Sequence, residues 1–102
     1  MSENLLNLVN TIRDRKNKDE DKSHTSSLLS GGLSKCIDKM EEEFSELKEA
    51  LNNKSNVVHE AADTIYHILV VLEAANIKFE DVLKELENRK KQSGIKEKNS
   101  RK

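Results

Sequence analysis

Seven ionisable side chains fall at spacings that chemistry could use. Lys39, Glu42, Glu43 and Glu46 recur at i, i+3, i+4 and i+7 in one segment. Beyond a spacer of thirteen residues after Glu46, a second segment carries Glu60, Asp63 and His67. At 100° per residue of helix, those last three lie within roughly 60° of one another, on a single stripe. The segment that holds them is otherwise apolar: Val57, Ala61, Ile65, Ile68, Leu69, Val70, Val71, Leu72 and Ala75 leave little polar surface around it. Such a helix belongs inside a bundle. Ionised carboxylates there cost several kcal/mol each, on the order of a buried-ion penalty, unless something offsets them. What faces that stripe therefore decides what the protein does.

The elements that must position these groups are all helical. Leu5, Leu8, Val9 and Ile12 give a first amphipathic helix over 3–15, and the mixed-charge run Lys16–Lys22 reads as a solvated loop. Asp19-Glu20-Asp21 within it lacks the glycine and terminal glutamate of a calcium loop. Ser23 or Thr25 is expected to cap a short helix through Leu28 and Leu29, which Gly31-Gly32 ends. Leu33, Ile37, Met40, Phe44, Leu47 and Leu51 then draw an apolar stripe along a third helix, and Asn52–Ser55 reads as the turn that reverses it. The central apolar helix is predicted over 56–75, with Asn76 as a left-handed cap. A last helix carries Phe79, Val82, Leu83 and Leu86, with Glu80 and Asp81 in its first turn. Residues 1–91 thus form one domain, an all-α helical bundle of four to five helices. Residues 92–102 form a basic, non-periodic tail.

Composition agrees with this and removes other classes. A chain of 102 residues with no proline, three glycines and 36% charged side chains lacks the turn residues of an all-β fold. Its net charge of −1 and its three aromatics, Phe44, Tyr66 and Phe79, argue against nucleic-acid binding. No stretch approaches the roughly 20 apolar residues that span a bilayer. The single Cys36 has no internal disulfide partner, which fits a reducing, cytoplasmic setting. A helical domain this small often dimerises to enlarge its core.

Folding the third and central helices as an antiparallel hairpin about the Asn52–Ser55 turn sets Glu46 opposite Glu60, Glu43 opposite Asp63 and Lys39 opposite His67. All three pairs share one register. Neighbouring helices lie about 8–10 Å apart, room for facing carboxylates and a hydrated cation. All-oxygen ligands select a hard ion, and magnesium in particular shares its shell with phosphates. The chemistry this suits is attack of water on phosphorus, with Lys39 placed to contact a phosphate. Other readings stay open. A glutamate run is commonly a solvated face, and the acids would then serve the solubility of a non-catalytic helical interaction module. His67 alone reads most simply as a hydrogen-bonded core histidine. His59-Glu60 fails the zinc-protease pattern because Asp63 stands where a second histidine is needed, and neither helix has the Glu-x-x-His of a di-iron bundle.

The acidic residues also carry a family resemblance. Glu42-Glu43-Phe44-Ser45-Glu46 followed by Glu60-Ala61-Ala62-Asp63 resembles the EExxE…ExxD signature of the MazG-like all-α nucleoside triphosphate pyrophosphatases. The segments TSSLLSGGL (25–33), KMEEEFSE (39–46) and HEAADTIYHILVV (59–71) are similar to those of the phosphoribosyl-ATP pyrophosphatase family within it. The likeness runs over residues 3–90, with Phe44 standing at a typical alanine position and Lys78 at a frequent serine cap. It implies hydrolysis of phosphoribosyl-ATP to phosphoribosyl-AMP and pyrophosphate, the second step of histidine biosynthesis. It implies Glu43, Glu46, Glu60 and Asp63 as Mg2+ ligands, Glu42 as a ligand or outer-shell base, and a homodimer packed through the central helix. The family is commonly fused behind a cyclohydrolase domain, and Met1 just before the first helix leads us to expect a free-standing copy. A house-cleaning nucleoside triphosphate pyrophosphatase of the same superfamily is the neighbouring alternative.

Overall fold

The structure, a computed structural model, describes residues 2–16 and 24–91. The Asp19–Asp21 run, Ser23 and the basic tail from Gln92 lie outside these. Five helices follow in order: α1 (Ser2–Arg15), α2 (His24–Ser30), α3 (Leu33–Asn53), α4 (Val57–Ala74) and α5 (Phe79–Lys90), with no strand among the described residues. The architecture is all-α, as the periodicity predicts.

The helix stops are set by backbone conformation more than by the residues expected to set them. Asn52 and Asn53 belong to α3 rather than to the turn. Lys54 ends the helix by adopting φ 56°, which aims its N–H and that of Ser55 at the carbonyl of Ala50. Asn56 repeats the left-handed conformation at φ 60° and the chain reverses. At the far end of α4, Asn76 takes φ 61° as expected, and the N–H of Ile77 closes onto the carbonyl of Leu72 at 2.9 Å. Among the described residues, Gly32, at φ 92°, is the one glycine whose conformation a side chain would strain. Thr25 does not cap α2. It is buried inside that helix and spends its hydroxyl on Tyr66, tying α2 to α4.

α3 and α4 pack along each other as an antiparallel hairpin, and α1, α2 and α5 all rest on α4. The apolar core gathers at the hairpin's open end, where Val9, Ile12, Leu28, Cys36, Leu69, Val70 and Phe79 meet. Cys36 sits fully inside it, its thiol 3.2 Å from the carbonyl of Leu28. This corrects two expectations about facing. The Leu33–Leu51 stripe of α3 does not look into the core: Leu33, Ile37, Phe44 and Leu51 are exposed. Nor is α4 enclosed all round, since Val58 is 84% and Ile65 50% exposed. Near the turn, among the described residues, the hairpin packs mainly against itself, and these apolar side chains stay exposed.

Charge ties the remaining helices together. The Arg13 guanidinium grips the Glu80 carboxylate with both terminal nitrogens, and Glu73 lies 3.5 Å from Arg13 and 3.7 Å from Lys16. That links α1 to the end of α4 and the start of α5. The Arg13 hydrogen bond holds the Glu80 carboxyl down at about 2, against an ordinary 4.5. Because the folded value lies below the unfolded one, the pair's stabilisation is complete above about 4.5 and is lost as pH falls towards about 2. Arg13→Gln should therefore flatten the pH dependence of the unfolding midpoint between those values. An acid limb identical to wild type would show that the contact carries no stability.

Candidate metal centre

Halfway down the hairpin, the face α3 turns to α4 changes from apolar to acidic. A stitch between the helices fixes their relative height there: the Thr64 hydroxyl donates to the Glu60 carbonyl at 2.8 Å and reaches that of Glu43 at 3.2 Å. Ala50, the small buried residue of α3 nearest the turn, lets the helices approach closely. With the backbones pinned this way, carboxylate oxygens of Glu43, Glu46 and Glu60 come within 4.8 Å of one another. Glu60 is buried, its side chain 11% exposed, and that of Glu43 is 15% exposed. Glu43 Oε2 is buried with no hydrogen-bond partner among the described residues. Asp63 stands on the outer side of Glu60, half exposed.

These groups disturb one another's charge. Burial pushes the Glu43 carboxyl up from its ordinary range, and the neighbouring Glu46, Asp63 and Glu60 carboxylates push the same way against a small opposing pull from Lys39. The Glu60 carboxyl is likewise raised, by burial first and then by its hydrogen bond and charge contact with Glu46. An orphaned buried oxygen amid like charges, beside the carboxylate oxygens of Glu46 and Glu60, is a fitting receptor for a divalent cation. The acidic cluster can hold a metal ion.

Of the residues singled out from sequence, Glu43, Glu46, Glu60 and Asp63 are brought together. The Glu46–Glu60 pairing falls in the expected register, whereas the third pairing differs. His67 Nε2 stands 3.9 Å from Glu43 Oε1, and the Lys39 ammonium lies 3.5 Å from Glu42. Side chains lean towards the N-terminus of their own helix. Glu43 therefore reaches away from the turn while His67 reaches back towards it, and the two meet a turn earlier than backbone counting suggests. His67 itself is buried, its ring edge-on to Tyr66 at 5.7 Å. Glu42 is exposed and lies outside the groups that converge.

His59 is the residue that sequence reasoning set aside. Its Nε2 lies 3.2 Å from Asp63 Oδ2 and 3.9 Å from Glu60 Oε1, and the three side chains form a second group of donors within 4.8 Å. The signal was available: His59 and Asp63 are four apart on one helix, hence neighbours on its surface. Discarding the zinc-protease pattern discarded the histidine with it. Access from solvent is open on the turn side, where a cleft of about 240 Å³ is lined by Glu46, Glu49, Ala50, Asn53, Asn56 and Glu60.

Comparison with known proteins adds a separate line of support. Residues 5–90 match the family model described as phosphoribosyl-ATP pyrophosphohydrolase. A phosphoribosyl-ATP pyrophosphatase from Paracoccus denitrificans is 42% identical over 100 residues, covering 96% of this chain and 93% of the relative. One from Ruegeria pomeroyi is 42% identical over 99 residues, with 95% and 94% covered. One from Clostridium acetobutylicum is 42% identical over 90 residues, with 86% and 82% covered.

Proposed function

The chain belongs to the phosphoribosyl-ATP pyrophosphohydrolase family, and from that membership we infer that the acidic cluster between α3 and α4 is its active site. The protein is a hydrolase that converts phosphoribosyl-ATP to phosphoribosyl-AMP and pyrophosphate, a step of histidine biosynthesis. In this reaction the anhydride between the α- and β-phosphates breaks and water supplies the new oxygen. The observation that carries the reading is the convergence of buried Glu60 and half-buried Glu43 between the helices with Glu46 at their exposed edge, Glu43 Oε2 being buried and unpartnered among the described residues. Acids kept for solubility would not be drawn inward at such electrostatic cost.

Glu43, Glu46, Glu60 and Asp63 are the residues that would hold Mg2+. When bound, the ion supplies Lewis acidity that polarises the phosphoryl oxygens and the attacking water. The chain's own contribution is position. Thr64 fixes the height of the two acidic helices, Lys39 offers its ammonium to a phosphate at the rim, and Glu42, paired with Lys39 outside the cluster, would take a proton from the attacking water. Substrate and ion enter from the turn-side cleft, and the working site of the enzyme is the cytoplasm. No helix among the described residues is long and apolar enough to cross a membrane. Residues 1–91 make up the catalytic domain, with the basic segment 92–102 as an appendage to it.

The assay that tests this reading measures pyrophosphate release from phosphoribosyl-ATP beside a panel of deoxynucleoside triphosphates. Preference for phosphoribosyl-ATP is expected. Faster turnover of a deoxynucleotide would instead assign the chain to the house-cleaning branch.

The open apolar flank of the hairpin supports a homodimer. Phe44, Leu51, Val58 and Ile65 would each be covered by a second copy packed through α3 and α4, making a four-helix arrangement around two sites. Ile65→Asp, which places a charge in the middle of that flank, should halve the mass measured by light scattering while the chain remains helical. An unchanged mass would remove this interface.

A further inference from the structure

The polar residues that α4 buries fall on one stripe: Glu60, Thr64 and His67, at i, i+4 and i+7. Glu60 belongs to the acidic cluster and Thr64 joins the helices, so the use of His67 is the open question. A buried histidine is commonly a core residue that has found a polar partner. Here the partner is one of the acids, for Nε2 stands 3.9 Å from Glu43 Oε1. The two side chains are only 9% and 15% exposed, so water screens the contact little. Tyr66 sets the direction of the ring: it meets the imidazole edge-on at 5.7 Å, and its hydroxyl is tied to Thr25 of α2. Glu43 is thus held at two points, its carbonyl by Thr64 at 3.2 Å and its carboxylate by His67. That makes its two oxygens unlike. Oε1 looks to the imidazole, while Oε2 is buried with no hydrogen-bond partner among the described residues.

We propose that His67 is a positioning residue: its Nε2–H steers Oε1 of Glu43 and so leaves Oε2 presented to the cation. It touches neither ion nor substrate and acts through Glu43 alone. The inference rests on the active-site reading above and adds to it the group that orients one of the ligands. At 3.9 Å the contact is longer than a hydrogen bond, so it fixes the direction of the carboxylate by charge. A carboxylate free to turn loses rotamer freedom when an ion arrives, and one already steered loses less. Outer groups that orient ligands in this way commonly set metal affinity by about 10–100-fold.

Calorimetry of Mg2+ binding to the full-length protein, without substrate, reads this directly. His67→Leu fills the same space with no donor and should weaken Mg2+ on the order of 10–100-fold, with helicity unchanged. His67→Gln, whose amide nitrogen can stand where Nε2 stood, should recover most of that loss. In a Glu43→Gln background, His67→Leu should weaken Mg2+ no further, because its route to the ion is gone. His67→Asn, with an amide too short to reach Glu43, should match the leucine variant, and it decides the matter if leucine disturbs the core. Wild-type affinity in the leucine and asparagine variants, or an equal loss in the glutamine variant, overturns the proposal and leaves His67 a packing residue. Additive losses in the double variant overturn it too, since His67 would then reach the ion by another route. If wild type binds no Mg2+ at all, the active-site reading itself fails, and this role with it.

Discussion

Asp63→Asn and Glu46→Gln should each slow pyrophosphate release on the order of 10²–10³-fold or more, with the helical content of the protein unchanged. The magnitude follows from what these groups are asked to do. Removing one preorganised electrostatic partner of a transition state costs about 10²–10³ in rate, and a lost carboxylate also weakens the hold on the ion that supplies the rest. The fold should survive because neither side chain belongs to the apolar core, and both replacements keep the shape of the residue they replace. The two variants probe different helices, which makes the pair more informative than either alone. Glu46 comes from α3 and meets Glu60 across the hairpin; Asp63 comes from α4 and lies outside Glu60. If the centre is shared between the helices, both fail together and excess Mg2+ partly restores each. Near-normal turnover in both would leave the carboxylates without a catalytic part.

Much of that centre was legible before any coordinates, and the reason is physical. A helix as apolar as α4 cannot carry Glu60 and Asp63 without a partner, so the acids announced the facing helix as well as themselves. The register followed from the shortness of the turn, and Glu46 opposite Glu60 bears it out. Periodicity shows that a helix has an apolar face, but not which neighbour that face meets. Leu33, Ile37, Phe44 and Leu51 therefore looked like core and are exposed, while Cys36 and Ala50, small and easily passed over, are the buried residues of α3. The stop of α3 was misplaced by two residues because Lys54 adopts a left-handed conformation that lysine does not advertise. The lean of side chains along their helix axis, which brings His67 to Glu43, is likewise invisible to a count of residues from the turn.

The same like-charge crowding that makes the site useful should make the metal-free protein less stable than a disarmed variant. Glu43 and Glu60 both titrate above their ordinary value of 4.5. A carboxyl whose folded value is raised contributes fully while protonated, below the unfolded value, and that contribution is lost as pH rises through the folded one. Metal-free protein should thus lose stability on going from mildly acidic to neutral pH. Glu60→Gln removes one of the two ionisations, and its amide can donate to the Glu46 carboxylate that Glu60 would repel. Without metal at neutral pH, the variant should unfold at a higher temperature than wild type. Added Mg2+ should reverse the order. An ion bound only by the folded state stabilises by about 2.7 kcal/mol at a hundred-fold excess over its Kd, and wild type alone keeps the full donor set to receive it. The crossing of the two proteins on adding metal separates a binding site from a merely awkward cluster. A variant that is less stable than wild type without metal, and that still gains as much from Mg2+, would mean that Glu60 is a structural group the ion never touches.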